Sequence, residues 1–461
     1  MTRRRQRPGV ECLEARWLLT QINEFPVPSS IYPTSITSGP DGNLWFTDNA
    51  GTSNPTPGGV LDSGKIGMIN PMTLSIAEFP IPTTGDLGVQ QSQLRGITTG
   101  PDGNLWFIDS NRSLIGMINP TTHAIAEFPT PTANNYPTDI TTGPDGNLWF
   151  TESGDMIGMI NPMTHAIAEF PVPTASAIGG ITSGPDGNLW FTQYDEAIVP
   201  DFVSDFVNAV SSSRIGMINP TTHAVAEFPL PTADAGPGGI TAGPDGNLWF
   251  TEFNGSQIGM INPTTHAIAE FTVSAVGYQG LQRLRDITTG PDGNLWFTEV
   301  APSLIGMINP TTHAIAEFPT PTANSYPTDI TTGPDGNLWF FEVNSDQLGE
   351  VVIAPSITGV VAVTHSKKEI TAIILGVNEP LNSASASNRG FYSLDSGVKK
   401  QHTLVFSKPA RIRTVLYDST TVTVTLKLAK PSKGPIQVMV HSGVMATNGI
   451  STRGTFTAVV K

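Results

Sequence analysis

The string Pro-Asp-Gly-Asn-Leu-Trp-Phe occurs seven times in this chain, with its aspartate at Asp41, Asp102, Asp145, Asp186, Asp245, Asp292 and Asp335. Around it lies a unit whose shortest period is about 41 to 43 residues, and self-similarity at that period means a repeat architecture. Each unit carries four short apolar runs separated by turn signals. In one unit these are an Ile-Thr run after Asp139, then Leu148 to Glu152, Met156 to Ile160 and Ala166 to Phe170. Four strands repeated seven times predict an all-β fold, a seven-bladed β-propeller.

The last unit holds its first three strands, Asp329 to Thr332, Leu338 to Glu342 and Gln347 to Ile353, but has no copy of the fourth. That strand stands at the other end of the chain as Gln21 to Val27, so the N-terminal strand is expected to complete the seventh blade and close the ring. Pro-Asp-Gly suits a tight hairpin between the first two strands, because proline pre-sets φ and glycine supplies φ > 0. Asn-Pro-Thr-Thr or Asn-Pro-Met-Thr makes the hairpin between the third and fourth. Tryptophans that recur in every unit cannot mark one special site, and are expected between the blades.

Charge divides the chain into three parts. Residues 21–354, the expected propeller, hold 33 acidic against 6 basic side chains, a net of −27. Residues 1–20 are net +3 and residues 355–461 net +9. An acidic propeller with Lys65 as its one lysine is a poor partner for nucleic acid, whose phosphates need clustered Lys and Arg. The acid either attracts cations and cationic ligands or keeps a repeat protein soluble. No run of 18 apolar residues exists, so no transmembrane helix is expected. The only cysteine, Cys12, lies in the leader and carries no information about compartment. The leader stretch Leu13-Glu14-Ala15-Arg16-Trp17-Leu18-Leu19 resembles a short motif on exported and cell-surface proteins of planctomycete bacteria, which implies an extracellular or cell-surface location.

After Pro355 the repeat stops and lysine becomes frequent. Alternating runs at Ile357 to Thr364, Glu369 to Leu375, Thr403 to Phe406, Arg411 to Tyr417, Thr421 to Leu428 and Ile436 to His441 predict an antiparallel sandwich over residues 355–461. Its phrases Asn378-Glu379-Pro380-Leu381 and Tyr417-Asp418-Ser419-Thr420 resemble immunoglobulin-like modules of bacterial surface proteins, which space or attach, here to the cell envelope.

Every length variation falls in the loops of one propeller face, at Asn49 to Gly64, Thr83 to Arg95, Tyr194 to Ser213 and Thr272 to Arg285. Partners, whether a small molecule, a glycan or a protein, are expected on that irregular face. On it the second strands end, at Asp48, Asp109, Glu152, Gln193, Glu252, Glu299 and Glu342, and these are expected to point toward the channel mouth. Converging carboxylates suit Mg²⁺ or Ca²⁺, and strand-end carboxylates bonded to neighbouring loops are the alternative. Asp139, Asp286 and Asp329, just before inner strands, could join the cluster. His123, His165, His223, His266 and His313 follow the outer hairpins on the opposite face, too far apart to share an ion.

The unit Ile-Thr-x-Gly-Pro-Asp-Gly-Asn-Leu-Trp-Phe-Thr-Glu, followed by Ile-Gly-Met-Ile-Asn-Pro and Ala-Glu-Phe-Pro-x-Pro-Thr, closely resembles the virginiamycin B lyase, or streptogramin lyase, family over residues 21–353. The resemblance implies ring-opening of type B streptogramins by elimination at the ester, with Mg²⁺ and with histidine and glutamate at the channel mouth. The family's histidines stand in Pro-His-x-Ile settings before the last two inner strands. This chain has Leu284-Arg285-Asp286-Ile287 and Pro327-Thr328-Asp329-Ile330 there, and Tyr326 in place of a glutamate. Glu342 is nearest the remaining family carboxylate, and is the candidate catalytic residue. Glu299, Glu342, Asp286 and Asp329 are the candidate metal ligands. Asp48, Asp109, Glu152, Glu252, Arg285, Tyr326 and Thr328 are the candidate binding face. Residues 115–150 and 305–340 are identical except at Asn135 and Ser325, as expected of a duplicated scaffold. The expectation is therefore a binding or scaffold propeller of this family, with a Mg²⁺-dependent C–O lyase as the alternative.

Overall fold

The computed structural model describes residues 21–28, 32–49, 64–82, 92–174, 177–194, 213–274, 283–353, 357–366, 369–377, 381, 383–433 except 401–402, 435–441, 444 and 456–460. Seven four-stranded antiparallel sheets form the propeller, and blades one to six each run in chain order from the inner to the outer strand. Their inner strands are Pro33–Ser38, Leu94–Thr99, Pro137–Thr142, Ala177–Ser183, Pro237–Ala242, Leu284–Thr289 and, in blade seven, Pro327–Thr332. Consecutive inner strands touch, and the last touches the first.

Blade seven takes its outer strand from the chain's other end. Gln21–Pro26 pairs antiparallel with Gln347–Val352, from Gln21 opposite Val352 to Pro26 opposite Gln347. Glu24 holds the join from the side, accepting from the Thr322 amide at 2.8 Å and the Thr322 hydroxyl at 2.7 Å. The expected closure is the observed one.

The repeated heptapeptide is structural in every blade. In blade one the Asp41 carboxylate accepts from the Trp45 indole at 3.0 Å and from the Asn43 amide at 3.2 Å, which fixes the hairpin and the ring together. Gly42 sits at φ 79°, where side chains are strained. The six tryptophans at 45, 106, 149, 190, 249 and 339 are fully buried, and Trp296 is nearly so. Gly158, opposite Phe150 in the next strand, leaves room for that ring: a Cβ there would lie 2.0 Å from it.

Hydroxyls bind the ring at the end of the inner strands nearer the uniform face. Thr99, Thr142, Ser183, Thr289, Thr332 and Ser38 each donate to the same position's carbonyl in the preceding blade, Ser38 to Thr332 across the closure. Ala242 is the one member of this ring that has no hydroxyl. At the other end, second-strand threonines reach forward. Thr47 donates to the Arg95 carbonyl at 2.8 Å and Thr251 to that of Arg285 at 2.7 Å.

The C-terminal part is two four-stranded antiparallel sheets. One orders Ile357–Ser366, Glu369–Val377, Thr423–Ser432 and Ile412–Asp418; the other orders Thr403–Ala410, Tyr392–Lys400, Ile436–Val440 and Phe456–Val460. Ile373, Leu375, Val424 and Leu426 from the first share one core with Leu394, Ile436 and Val438 from the second. Two strands, Tyr392–Lys400 and Phe456–Val460, are additional to the sequence expectation. The former is rich in Ser, Gly and Lys, which alternate too weakly to stand out. Among the described residues no helix is long and apolar enough to cross a membrane. The leader, Cys12 and the expanded stretches 50–63, 83–91, 195–212 and 275–282 lie outside the described residues.

Candidate functional site

The starts of all seven inner strands surround one axial cavity of about 300 Å³. It opens on the irregular face, since Asn49, Gln93, Gly236 and Asn254 from the loops of that face also line it. At the upper ring of equivalent positions stand Thr34, Arg95, Thr138, Gly179, Gly238, Arg285 and Thr328. One residue deeper are Ser35, Gly96, Asp139, Gly180, Gly239, Asp286 and Asp329.

The three aspartates are spent partly on the backbone. Each carboxylate accepts from the inner strand of the following blade: Asp139 from the Ile181 amide at 2.9 Å, Asp286 from Ile330 at 3.0 Å and Asp329 from Ile36 at 2.6 Å. Glycines make room for two of them, since a Cβ at Gly96 would lie 2.6 Å from Asp139 and one at Gly239 2.4 Å from Asp286. Burial pushes Asp139 up to about 6, and Asp329 adds to that. Burial and the adjoining Asp329 raise Asp286 well above the usual carboxylate range, which favours its protonated form. Tyr194 lines the same cavity, and burial raises its phenol above the ordinary value, so it remains a donor. Burial lowers Arg285, and Arg95 nearby adds to the effect against the pull of Asp329.

Of the residues expected at the mouth, Arg285, Thr328, Asp139, Asp286 and Asp329 are there. The second-strand carboxylates are not. Asp48, Asp109, Glu152, Glu252, Glu299 and Glu342 are all buried, and none lines the cavity. Side chains alternate along a strand, and only the inner strand faces the axis. A second-strand terminal residue therefore points off one face of its own sheet toward a neighbouring blade, and on that face it meets the fourth-strand glutamate of its own blade: Glu152 faces Glu169, Glu252 faces Glu270 and Glu299 faces Glu317. Burial, with that neighbour, raises all three to about 8. Glu342 accepts from the Ser325 hydroxyl at 2.7 Å and lies by Glu24; burial raises it to about 7. Tyr326 stands near Arg285 but outside the lining.

The metal-ligand set is consequently split, with Asp286 and Asp329 on the axis and Glu299 and Glu342 inside two different blades. Among the described residues no three His, Cys, Asp or Glu side chains gather as ion ligands, and the four candidates do not share one site. Sequence reasoning passed over Arg95, Tyr194 and the two asparagines. The signal for Arg95 was present: Leu94-Arg95 and Leu284-Arg285 occupy one place in the unit and hold two of the propeller's 6 basic residues.

The histidines of the uniform face have a structural use. His223 stacks on Phe170 of the preceding blade, ring centres 4.0 Å apart, and four others repeat the contact.

The virginiamycin B lyase family model matches residues 60–200 and 202–382, more than half of the chain. The chain belongs to the virginiamycin B lyase family. Solved structures agree. Virginiamycin B lyase from Staphylococcus aureus is 29% identical with a TM-score of 0.59, covering 72% of this chain and 99% of its own. A streptogramin B lyase structure is 31% identical with a TM-score of 0.59, covering 72% of this chain and 96% of its own. A catalytically inactive histidine-to-alanine variant of the Staphylococcus aureus enzyme with quinupristin is 30% identical, with a TM-score of 0.59, and covers 72% and 99%. No curated protein matches the chain. Where the resemblance to virginiamycin B lyase implies histidines, this family member places Arg285 and Thr328 around its axial cavity.

Proposed function

We propose that this member of the family is an exported binding propeller that takes a compact ligand into the axial cavity of its irregular face, without the family's histidine-dependent elimination. The observation that carries the reading is the cavity's lining: Arg285 and Thr328 stand where the family resemblance implies proton-carrying histidines. An elimination needs a base for the substrate proton and an acid for the leaving oxygen. The reading is tested by incubating the protein with a type B streptogramin, with and without Mg²⁺, and chromatography for the ring-opened product. No product from folded protein is the expected result.

A second reading, a C–O lyase with replaced proton carriers, is favoured by one observation. Asp286 and Asp329 adjoin on the axis, and burial together with Asp329 raises Asp286 well above the usual carboxylate range, toward the protonated form that an acid needs. Ring-opened product that disappears in Asp286→Asn would establish this reading and refute the first. Export rests on the leader motif at 13–19, and the C-terminal sandwich is read as an immunoglobulin-like spacer or envelope anchor. Fractionation of cells producing the full chain, with and without residues 1–20, tests the location. Full-length protein retained in the cytoplasm would refute it.

A further inference from the structure

One backbone position recurs around the mouth of the axial cavity: its carbonyl accepts from the amide that follows the second strand of its blade. In blades one, three and seven this residue is Tyr32, Tyr136 or Tyr326, accepting from Asn49 at 3.0 Å and from Ser153 and Val343 at 3.2 Å. In blades two, five and six it is Gln93, Gly236 or Arg283, accepting from Ser110 at 2.8 Å, Phe253 at 3.0 Å and Val300 at 2.9 Å. Gln93 and Gly236 line the cavity, which places the position at its mouth. Tyr32 is 44% and Tyr136 40% exposed, whereas the propeller's tryptophans are buried. Tyr136 and Tyr326 hold φ of 45° and 64°, the region where Gly236 sits at 60° in blade five. A bulky side chain is strained there, and strain of this kind collects at ligand sites. Duplication accounts for Tyr136 and Tyr326 together but not for Tyr32, which follows Ser30-Ile31 and shares Tyr-Pro-Thr with them.

The three tyrosines occupy one arc of the mouth. Blade seven adjoins blade one across the closure, and Gln93 of blade two stands between Tyr32 and Tyr136. Exposed aromatic rings beside an amide suit a molecule with C–H surfaces for faces and hydroxyls for edges. Pyranose rings are built that way: a face stacks on an aromatic ring, and the hydroxyls need donors and acceptors side by side, as the Gln93 amide offers. The lining below mixes Arg95 and Arg285 with three aspartates, a balanced polarity that suits hydroxyls better than the quaternary ammonium ions which aromatic rings also bind. The net charge of −27 over residues 21–354 repels acidic sugars at long range. At about 300 Å³ the cavity is small for a ligand pocket, and takes an end of a chain rather than its length. We infer that the mouth of the axial cavity binds a neutral oligosaccharide, with sugar rings stacked on Tyr326, Tyr32 and Tyr136 and one chain end in the cavity. This rests on the proposal that the axial cavity is the binding site, and names the class of ligand that it takes.

The test is a glycan array of neutral hexose and N-acetylhexosamine oligosaccharides probed with the full chain, followed by calorimetric titration with the glycan retained. Saturable binding is expected. Tyr32→Ala and Tyr326→Ala should each weaken it by about tenfold. Tyr32→Phe should bind as wild type does, because the ring face and not the hydroxyl makes the contact. Should Tyr326→Ala fail to fold, the double variant Tyr32→Ala, Tyr136→Ala, at two exposed positions, replaces it. No neutral glycan retained, or equal binding by wild type and the alanine variants, would overturn the inference. Choline that binds and is lost in those variants, with no glycan retained, would overturn it while leaving the mouth of the cavity as the site. A glycan whose binding ignores both Tyr32→Ala and the rim variant Asn254→Trp binds elsewhere, and would remove the cavity reading as well.

Discussion

Arg112 grips Glu127 with both terminal nitrogens, at 2.8 and 3.0 Å, and reaches Asp109 with one of them at 3.2 Å. The equivalent residue in blade six is Pro302, and there Glu299 faces Glu317 with both Glu299 oxygens buried and lacking a hydrogen-bond partner. Blade four uses another solution: Gln193 replaces the second-strand carboxylate, and its amide donates to Glu227 at 3.0 Å. The seven-fold scaffold thus repeats one acidic pocket, filled by a cationic side chain, an amide or a proton.

Arg112→Ala should be strongly destabilising. It leaves Asp109, whose side chain is 1% exposed, and Glu127 facing each other without their shared cation. Breaking a buried ion pair from one side costs about 3 kcal/mol or more. Urea unfolding of wild type and variant measures it, and a loss below about 1 kcal/mol would show that the pocket relaxes or hydrates.

Glu299→Gln should remove a pH dependence. Burial and Glu317 raise Glu299 to about 8, so the folded state holds a proton that the unfolded chain, with an ordinary value of 4.5, releases much earlier. Its contribution to stability is therefore greatest below about 4.5, falls as pH rises toward 8 and is level above that. Glutamine reproduces the Gln193 arrangement without the proton. At pH 9 the variant should be more stable than wild type by about 2 kcal/mol, with a much smaller difference at pH 5. Thermal unfolding at the two pH values decides it; identical shifts at both would mean the pocket does not hold a proton.

The architecture was legible because each unit states its turns, its alternation and its buried tryptophan seven times, and the displaced strand at Gln21–Pro26 is recognisable as the missing copy. The site was legible only in part. Arg285, Thr328, Asp286 and Asp329 follow from counting residues before an inner strand. The error over Glu299 and Glu342 came from treating nearness to the irregular face as nearness to the axis. A second strand lies one inter-strand spacing outward, and the parity that turns Trp296 toward one neighbouring blade turns Glu299 the other way. Repetition hides such differences, because a position conveys burial for all seven blades and its partner in only one.

His223→Asn should leave any ligand binding unchanged and cost stability slightly. The residue sits at φ 58°, which asparagine tolerates, and the imidazole's contribution is its stacking on Phe170. Loss of about 0.5 to 1 kcal/mol is expected from thermal unfolding. No loss of stability would mean that the ring's stacking on Phe170 contributes nothing net.

Ala242→Thr should stabilise the ring. Around the inner strands Thr99, Thr142, Ser183, Thr289, Thr332 and Ser38 each donate to the preceding blade, and the one interruption is the step from blade five to blade four, where Ala242 faces the Ser183 carbonyl position. Four of the six donors are threonine in the same strand setting, so the added side chain should take their rotamer without strain. A neutral hydrogen bond contributes about 1 kcal/mol net, and closing a cooperative ring adds to that rather than subtracting. The expected result is an unfolding midpoint higher by a few degrees, together with slower amide exchange at residues 240–242, because the bond pins one inner strand to its neighbour. A lower midpoint would mean that the methyl group and hydroxyl overfill the blade-four side of the gap, and that alanine stands there for packing.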